Sequence, residues 1–373
     1  MAKELNLASI TSWLPNAGHP ILISGPCSAE TEEQMIHTAK QLAATGKVNV
    51  LRAGIWKPRT RPGQFEGAGE KGLEWLISAK KETGLPVTTE VANAAHVEAC
   101  LKAGVDILWI GARTTVNPFS VQEIADALKG VDIPVMVKNP INPDLDLWIG
   151  ALERLNKAGI TKLVAIHRGF SSSEKGPLRN SPMWDISIDL KTRIPALDII
   201  CDPSHIAGAR ELIPFISQKA LDLNMAGLMI ESHISPDNAW SDAKQQVTPA
   251  ALKEIMEGLV IRTPELNNKA LKDALTQFRQ QIDKLDEEIL QKLATRMKIS
   301  EQIGTYKKEN RVTILQLNRW DEIVHSRLAL ANAMGLSKEF ADDFLKLVHR
   351  ESIQIQNWVM NVPAASGIPK EKI

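Results

Sequence analysis

The sequence predicts an α/β protein, a (β/α)8 TIM barrel followed by an all-α segment of three helices, and three observations carry that expectation. Eight short apolar or β-branched runs recur with turn residues between them. Most gaps between the runs hold a helical pattern, and strands that alternate with helices at this interval indicate parallel pairing. The third observation is proline: 18 of the 20 lie at or before Pro264, and none falls between Glu265 and Val362. Glycine agrees, with only Gly304 and Gly335 in that interval. Pro costs about 3 and Gly about 1 kcal/mol in a helix interior, so a stretch this poor in both is expected to be helical. The boundary should sit near Gly258 to Pro264, dividing a barrel over 1–262 from a helical domain over 263–373. Thr263 would be the N-cap and Pro264 the first helical residue.

In order, the runs are Ile21 to Ser24, Val48 to Ala53, Pro86 to Val91, Val105 to Ala112, Pro134 to Lys138, Lys162 to His167, Leu197 to Cys201 and Gly227 to Glu231. Helical patterns fall at Thr31 to Ala44, Glu70 to Lys81, Leu145 to Ala158 and Gly208 to Leu221, whereas Ser171 to Pro195 reads as irregular. An open doubly wound sheet would share this alternation, but no Gly-rich dinucleotide fingerprint follows the first run.

Composition narrows the function classes. Lys+Arg and Asp+Glu number 44 each, so the formal net charge of zero argues against a generally basic nucleic-acid or anionic-membrane binder. Three cysteines in 373 residues do not make a disulfide framework. Met1 to Pro20 lacks the pattern of a signal peptide, and every apolar run is shorter than the ~20 residues of a membrane span. A soluble, cytoplasmic protein is expected.

Barrels of this kind place their active sites at the C-terminal ends of the strands. Those ends offer Cys27, Arg52 with Lys57, Glu90, Arg113, Lys138, Arg168, His205 and Glu231. Any one Arg or Lys there reads equally well as a solvated surface charge. The series sets five cations (Arg52, Lys57, Arg113, Lys138, Arg168) around one mouth, and converging cations need small phosphate or carboxylate ligands. Arg59 and Thr60 are placed to hold a second phosphate further out. Cys27, His205, Glu231 and Asp242 form a mixed soft and hard donor set that suits Mn, Fe, Co, Zn or Cu better than Mg or Ca. Cys27 alone reads as a buried thiol, but Gly25 and Pro26 turn the chain just before it. Cys100 and Cys201 read as core, and His37, His96 and His167 as structural or surface residues.

The runs Gly25-Pro26-Cys27-Ser28, Leu51-Arg52-Ala53-Gly54 with Lys57-Pro58-Arg59-Thr60, Gly111-Ala112-Arg113, Asp202-Pro203-Ser204-His205 and Glu231 through Asp242 resemble 3-deoxy-D-arabino-heptulosonate 7-phosphate (DAHP) synthases. The likeness is to the short type I form akin to 3-deoxy-D-manno-octulosonate 8-phosphate (KDO8P) synthases. It implies condensation of phosphoenolpyruvate with erythrose 4-phosphate, the first step of the shikimate pathway, with release of phosphate. Cys27, His205, Glu231 and Asp242 would then hold a divalent metal. Arg52, Lys57, Arg113, Lys138 and Arg168 would hold phosphoenolpyruvate, and Arg59 and Thr60 the aldose phosphate. Lys57 becomes the candidate proton donor, and Glu90 would orient water or the aldehyde. A KDO8P-type reaction with arabinose 5-phosphate is the alternative, and comparing the two aldoses separates them.

Beyond the boundary, Leu271, Leu275, Phe278, Ile282, Leu285 and Ile289 advance by threes and fours, one stripe of an amphipathic helix expected over Pro264 to Lys308. Two more helices are expected near Gln316 to Met334 and Ser337 to Val359, with Gly335 as breaker and Ser337 as N-cap. Helices this unequal seldom close a core alone, so a second copy is expected against them. Arg296 and Lys307 return to nearly the same face roughly 16 Å apart, whereas Arg279 lies roughly 25 Å from Arg296 along the same axis.

Phe278-Arg279-Gln280-Gln281-Ile282-Asp283, Leu285-Asp286, Arg296, Lys307, Arg319, Ser352 and Gln356 resemble the all-helical chorismate mutase family. That resemblance implies rearrangement of chorismate to prephenate without a cofactor, in a homodimer whose Arg279 crosses into the partner's pocket. Chorismate or prephenate would meet Arg279, Arg296, Lys307, Gln316, Arg319, Ser352 and Gln356, with Lys307 and Gln356 facing the ether oxygen. Gln316 stands where an acidic residue is usual, and Trp320 where a Glu is. A purely regulatory role for this domain is the alternative to catalysis, and the fusion motivates feedback inhibition by chorismate or prephenate.

Overall fold

The computed structural model describes residues 5–14, 18–57, 63, 65–173, 176–263, 265 and 268–361, with the side chains of 317–319 excepted. Two compact units result, Met1–Pro264 and Glu265–Ile373.

In the first unit eight parallel strands close into a barrel in chain order. They are β1 Ile21–Gly25, β2 Val50–Arg52, β3 Val87–Val91, β4 Ile107–Ile110, β5 Val135–Lys138, β6 Leu163–His167, β7 Asp198–Cys201 and β8 Gly227–Glu231. Pairing of Ile21 to Gly25 of β1 with Gly227 to Glu231 of β8 seals the ring. Seven strands lie within their expected runs, and β1 extends one residue past its run to Gly25. The fourth stops early because Gly111 turns the chain into a short helix, so Arg113 sits on that helix rather than at a strand tip.

The helices of this unit are α1 Ile10–Trp13, α2 Glu32–Ala44, α3 Glu70–Thr83, α4 Ala94–Ala103, α5 Ala112–Thr115, α6 Pro118–Ala127, α7 Leu145–Lys157, α8 Trp184–Arg193, α9 Pro203–Ala207, α10 Ile213–Asp222 and α11 Pro249–Gly258. Side-chain caps start many of them: Thr31 accepts from the Gln34 amide, Asn93 from His96 and Asp144 from Leu147. The connection after β6, expected to be irregular, contains α8. Met183, in the left-handed region, precedes it in place of a side-chain cap, so the usual start signal is missing.

Strand side chains alternate between two cores. Outward-facing residues such as Leu22, Leu51, Val137 and Leu228 pack against the helices. Ile21, Ile23, Val50, Ile107, Trp109, Met136, Val164, Ile166, Ile200 and Met229 fill the barrel, and Ile10 of α1 joins them. Adding two positions to Val50, Met136, Ile166, Ile200 and Met229 gives Arg52, Lys138, Arg168, Asp202 and Glu231. Apolar layers thus become a charged layer where the strands end.

The second unit contains α12 Lys269–Glu309, α13 Leu317–Ala333 and α14 Lys338–Asn361. The first helix begins later than expected: Asn268, not Thr263, is its N-cap and accepts from the Leu271 amide at 3.3 Å. Pro264 lies outside the described residues. Gly335 has φ +80 and the Ser337 hydroxyl accepts from the Phe340 amide, as the breaker and cap require.

Candidate active sites

Trp109 floors the barrel mouth. The Arg52 guanidinium lies 4.8 Å and the Lys138 ammonium 5.6 Å from its ring centroid. Its indole N–H donates to Glu90 at 2.8 Å, and a side chain at Gly111 would collide with that carboxylate. Arg52 is 1% exposed and lies 3.3 Å from Glu231, yet its Nε and Nη1 are buried without hydrogen-bond partners. Unpaired buried N–H groups on a cation are costly, and an anionic ligand would satisfy them. Burial lowers the buried Arg168 guanidinium to about 10, with Arg179 and Arg113 adding to the effect against Asp202, so it remains charged. Lys57 is half-buried, and Arg113 is exposed on α5. Four of the five expected cations therefore have described positions within the mouth wall, and Arg113 stands on its rim. Arg59 and Thr60 lie outside the described residues.

Beside these cations, donor atoms of Cys27, Glu231 and Asp242 all lie within 4.8 Å of one another. His205, on α9, is adjacent: its Nε2 is 3.8 Å from Glu231 Oε1. The other ring nitrogen faces Asp202 at 2.8 Å, which leaves Nε2 to face the cluster. Burial lowers the His205 imidazole and favours the neutral form. Burial opposes the Glu231 charge, but His205, Arg52 and Lys57 outweigh it and hold the carboxyl below its usual range. Asp242 is also held low against burial, first by Arg179 at 3.0 Å. Burial and Glu231 push the Cys27 thiol up to about 12, so without a metal it stays protonated. Lys57 donates to Cys27 Sγ at 3.0 Å, and against burial Cys27 and Glu231 raise its pKa. Glu231 Oε1 accepts no hydrogen bond although it is fully buried. A thiol, an imidazole and two carboxylates around such an orphaned oxygen fit a divalent transition metal.

In the helical unit, Arg296 of α12 donates to the Ser352 hydroxyl of α14. Gln356, one turn along the same face, is 8% exposed with a buried, unpartnered Oε1. A Cβ on Gly304 would meet Gln356 Cα at 3.1 Å, so glycine lets α12 and α14 approach there. Lys307 donates to the Ile314 carbonyl, and burial lowers both it and Arg296. Arg279 is exposed on α12 and is not brought to Arg296, and Gln316 is an exposed N-cap of α13. The Arg319 side chain lies outside the described residues. Trp320 stacks on His349 with ring centroids 3.9 Å apart.

Residues 14–266 match the family model for the DAHP synthetase I family. The chain belongs to that family. Residues 278–357 match the model for chorismate mutase type II, so the chain joins a DAHP synthase to a chorismate mutase domain. A curated relative, the phospho-2-dehydro-3-deoxyheptonate aldolase of Thermotoga maritima, is 34% identical over 241 residues, spanning 64% of this chain and 69% of the relative. The crystal structure of a DAHP synthase from the same organism superposes with TM-score 0.60 at 30% identity, covering 72% of this chain and 74% of that one. The 2-dehydro-3-deoxyphosphooctonate aldolase of Polaromonas naphthalenivorans is more distant, 29% identical over 64% of this chain and 88% of its own length. The heptulosonate reading therefore stands over the octulosonate one.

The sequence reading assigns no role to some groups at the barrel mouth. Asp202 is fully buried and holds Lys138 at 2.9 Å as well as His205. Its signal was present, because Ile200 faces inward and Asp202 is two positions on. Gln246 accepts from the Cys27 amide, and Gln245 donates to Glu231 at 2.7 Å. Both come from the loop after β8, which carries no periodic signal.

Proposed function

We propose that the barrel mouth binds phosphoenolpyruvate on Arg52, Lys57, Arg113, Lys138 and Arg168 and condenses it with erythrose 4-phosphate held by Arg59 and Thr60. The observation that carries this is Arg52, a buried cation with two unpaired N–H groups over an aromatic floor. Phosphoenolpyruvate brings a phosphate and a carboxylate, enough negative charge to occupy such a set. Cys27, His205, Glu231 and Asp242 hold a divalent metal, with Mn, Co, Fe or Zn suited to the donors. When bound, the metal supplies Lewis-acid polarisation of the aldehyde carbonyl. Lys57 Nζ donates a proton to the aldehyde oxygen as the enol carbon of phosphoenolpyruvate bonds to the carbonyl carbon. Glu90, fixed by Trp109, orients the water whose oxygen is added as phosphate leaves. Asp202 keeps both Lys138 and His205 in place.

In the helical domain, Arg296 and an Arg279 supplied by a second copy bind the two chorismate carboxylates, and Arg319 completes the pocket. Lys307 and Gln356 face the breaking ether bond, Ser352 fixes Arg296, and Gln316 closes the pocket. No cofactor is needed, because holding a compact conformer and stabilising charge on the ether oxygen supply the catalysis. A cytoplasmic homodimer is the form that this reading assumes, in keeping with three buried free cysteines. Among the described residues no helix is long and apolar enough to cross a membrane.

The decisive experiment adds metals singly to chelator-treated protein with both substrates present. Phosphate release is expected to return with at least one transition metal and with none of the alkaline-earth ions alone. No release with any metal would overturn the assignment. Feedback is tested separately: prephenate is expected to slow condensation, and a flat titration would leave the helical domain without a regulatory role.

A further inference from the structure

We infer that Arg179 and Asn180, between β6 and α8, are positioning residues that couple occupancy of the anion site to the arrangement of the metal ligands. The inference rests on the assignment of Arg168 to the anion site and of Asp242, Glu231 and His205 to the metal. Arg179 Nη1 donates to Asp242 Oδ1 at 3.0 Å and to Gln245 Oε1 at 2.6 Å. Gln245 passes the contact on, donating from Nε2 to Glu231 Oε2 at 2.7 Å. One arginine therefore touches one carboxylate of the cluster directly and the other through a buried amide.

Its neighbour faces the opposite way. Asn180 Oδ1 accepts from Arg168 Nη1 at 2.9 Å, and its Nδ2 donates to the His205 carbonyl at 2.6 Å. Two consecutive residues thus reach an anion-site cation and three of the four candidate metal ligands. The dipeptide itself is fixed to the barrel. Its amides donate to the carbonyls of Ala207 and Ile206 at 3.3 and 3.2 Å, and Ser181 pairs with Phe170. Gly208 leaves room for it, since a Cβ there would stand 2.4 Å from that of Arg179.

Physical chemistry gives this geometry a consequence. A thiolate and two carboxylates carry three negative charges against the two of a divalent ion, so Arg179 at the outer carboxylate balances the set. Asp242 has φ +47, a left-handed conformation that its surroundings must impose, and Arg179 is part of those surroundings. An anion that draws on Arg168 acts on the Asn180 side chain, and through its Nδ2 on the His205 carbonyl, while the backbone of the dipeptide stays fixed. Linkage then requires that the anion tighten the metal by the same factor as the metal tightens the anion. Asp202, which joins Lys138 to His205, and the direct contacts of Arg52 with Glu231 and of Lys57 with Cys27 are further routes and keep part of the effect when Asn180 is lost.

The test measures Co²⁺ affinity of the full chain by chelator competition, with and without phosphoenolpyruvate. In the wild type phosphoenolpyruvate is expected to tighten Co²⁺ about tenfold. Asn180→Ala should cut that factor by about threefold or more while leaving the affinity for Co²⁺ alone nearly unchanged. Arg179→Met should weaken Co²⁺ alone by about tenfold, and Arg179→Lys should restore most of it, which a general loss of structure would not do. An unchanged factor in Asn180→Ala overturns the coupling. So does a wild type that binds both ligands independently, an outcome that leaves the site assignment standing. Absence of Co²⁺ binding in the wild type overturns the metal assignment and the coupling together.

Discussion

At the barrel mouth, the inward alternation of a closed sheet delivers Arg52, Lys138, Arg168, Asp202 and Glu231 to one buried layer, and the same chain supplies their partners. Along α12 the pattern is equally regular, but its products are left outside. Phe278, Ile282, Leu285 and Ile289 are 60%, 55%, 56% and 50% exposed in a single copy. Arg279, on the same helix, is roughly 25 Å from Arg296, with which it is expected to share a ligand. The difference lies in what each element closes on. A barrel has no free edge and completes its own site, whereas a helical stripe finishes nothing until a second surface covers it. Covering the exposed half of each such side chain would contribute about 1–1.5 kcal/mol, so the proposed second copy would have both an energetic and a chemical reason to dock there.

The largest expected effect breaks one site without touching the other. Arg52→Met removes the unpaired donors and leaves Glu231 without its nearest buried cation, so condensation should fall by about 10²–10³-fold. Chorismate turnover should stay within about twofold of wild type if the two sites are chemically independent. Phosphate release and chorismate consumption measured on the same preparation check both halves. A variant that retains full condensation would take Arg52 out of the anion site.

A more selective prediction concerns the incomplete pocket. Arg279→Ala and Lys307→Ala chains should each be nearly inactive as mutases while their condensation rates hold. Mixing them under exchange conditions should restore about one quarter of the wild-type sites, because half the dimers are mixed and each rebuilds one pocket. No recovery despite demonstrated exchange would mean that Arg279 does not cross between copies.

How far these features could be read from sequence follows from the same contrast. The predicted strand ends give Arg52, Lys138, Arg168 and Glu231, and the inward alternation of the closed sheet reaches Asp202 as well, two residues after Ile200. The 3.6-residue period finds the α12 stripe, whereas Ser352 and Gln356 are reached only through the resemblance to chorismate mutases. Arg179, Asn180, Gln245 and Gln246 sit on loops where no period operates, and only the closing of the barrel brings them to the cluster. The α8 helix carries no start signal because Met183 offers no side-chain cap, and α12 begins five residues beyond Thr263 because Asn268 provides the cap.

The smallest expected effect asks whether the closed and open units differ in their response to acid. His167 of β6 is fully buried, held at 2.8 Å from the Ser187 hydroxyl and set among Trp148, Phe170 and Trp184. Burial first, and then Arg168, lower its imidazole from 6.5 to about 3. In the unfolded chain the same group takes up its proton near the ordinary value. Between those two values the unfolded state binds more protons, so His167 supports the fold above pH about 6.5 and loses that support as pH falls towards about 3. The slope contributed is about 1.4 kcal/mol per pH unit. His349 is also lowered by burial, but it is half-exposed, and solvent screening leaves it a much weaker lever. Urea midpoints from pH 7 to 4 should therefore fall less steeply in His167→Gln than in wild type, whatever the packing cost at neutral pH, while His349→Gln should run parallel to wild type. Parallel curves for wild type and His167→Gln would mean that His167 does not stay neutral in the folded barrel.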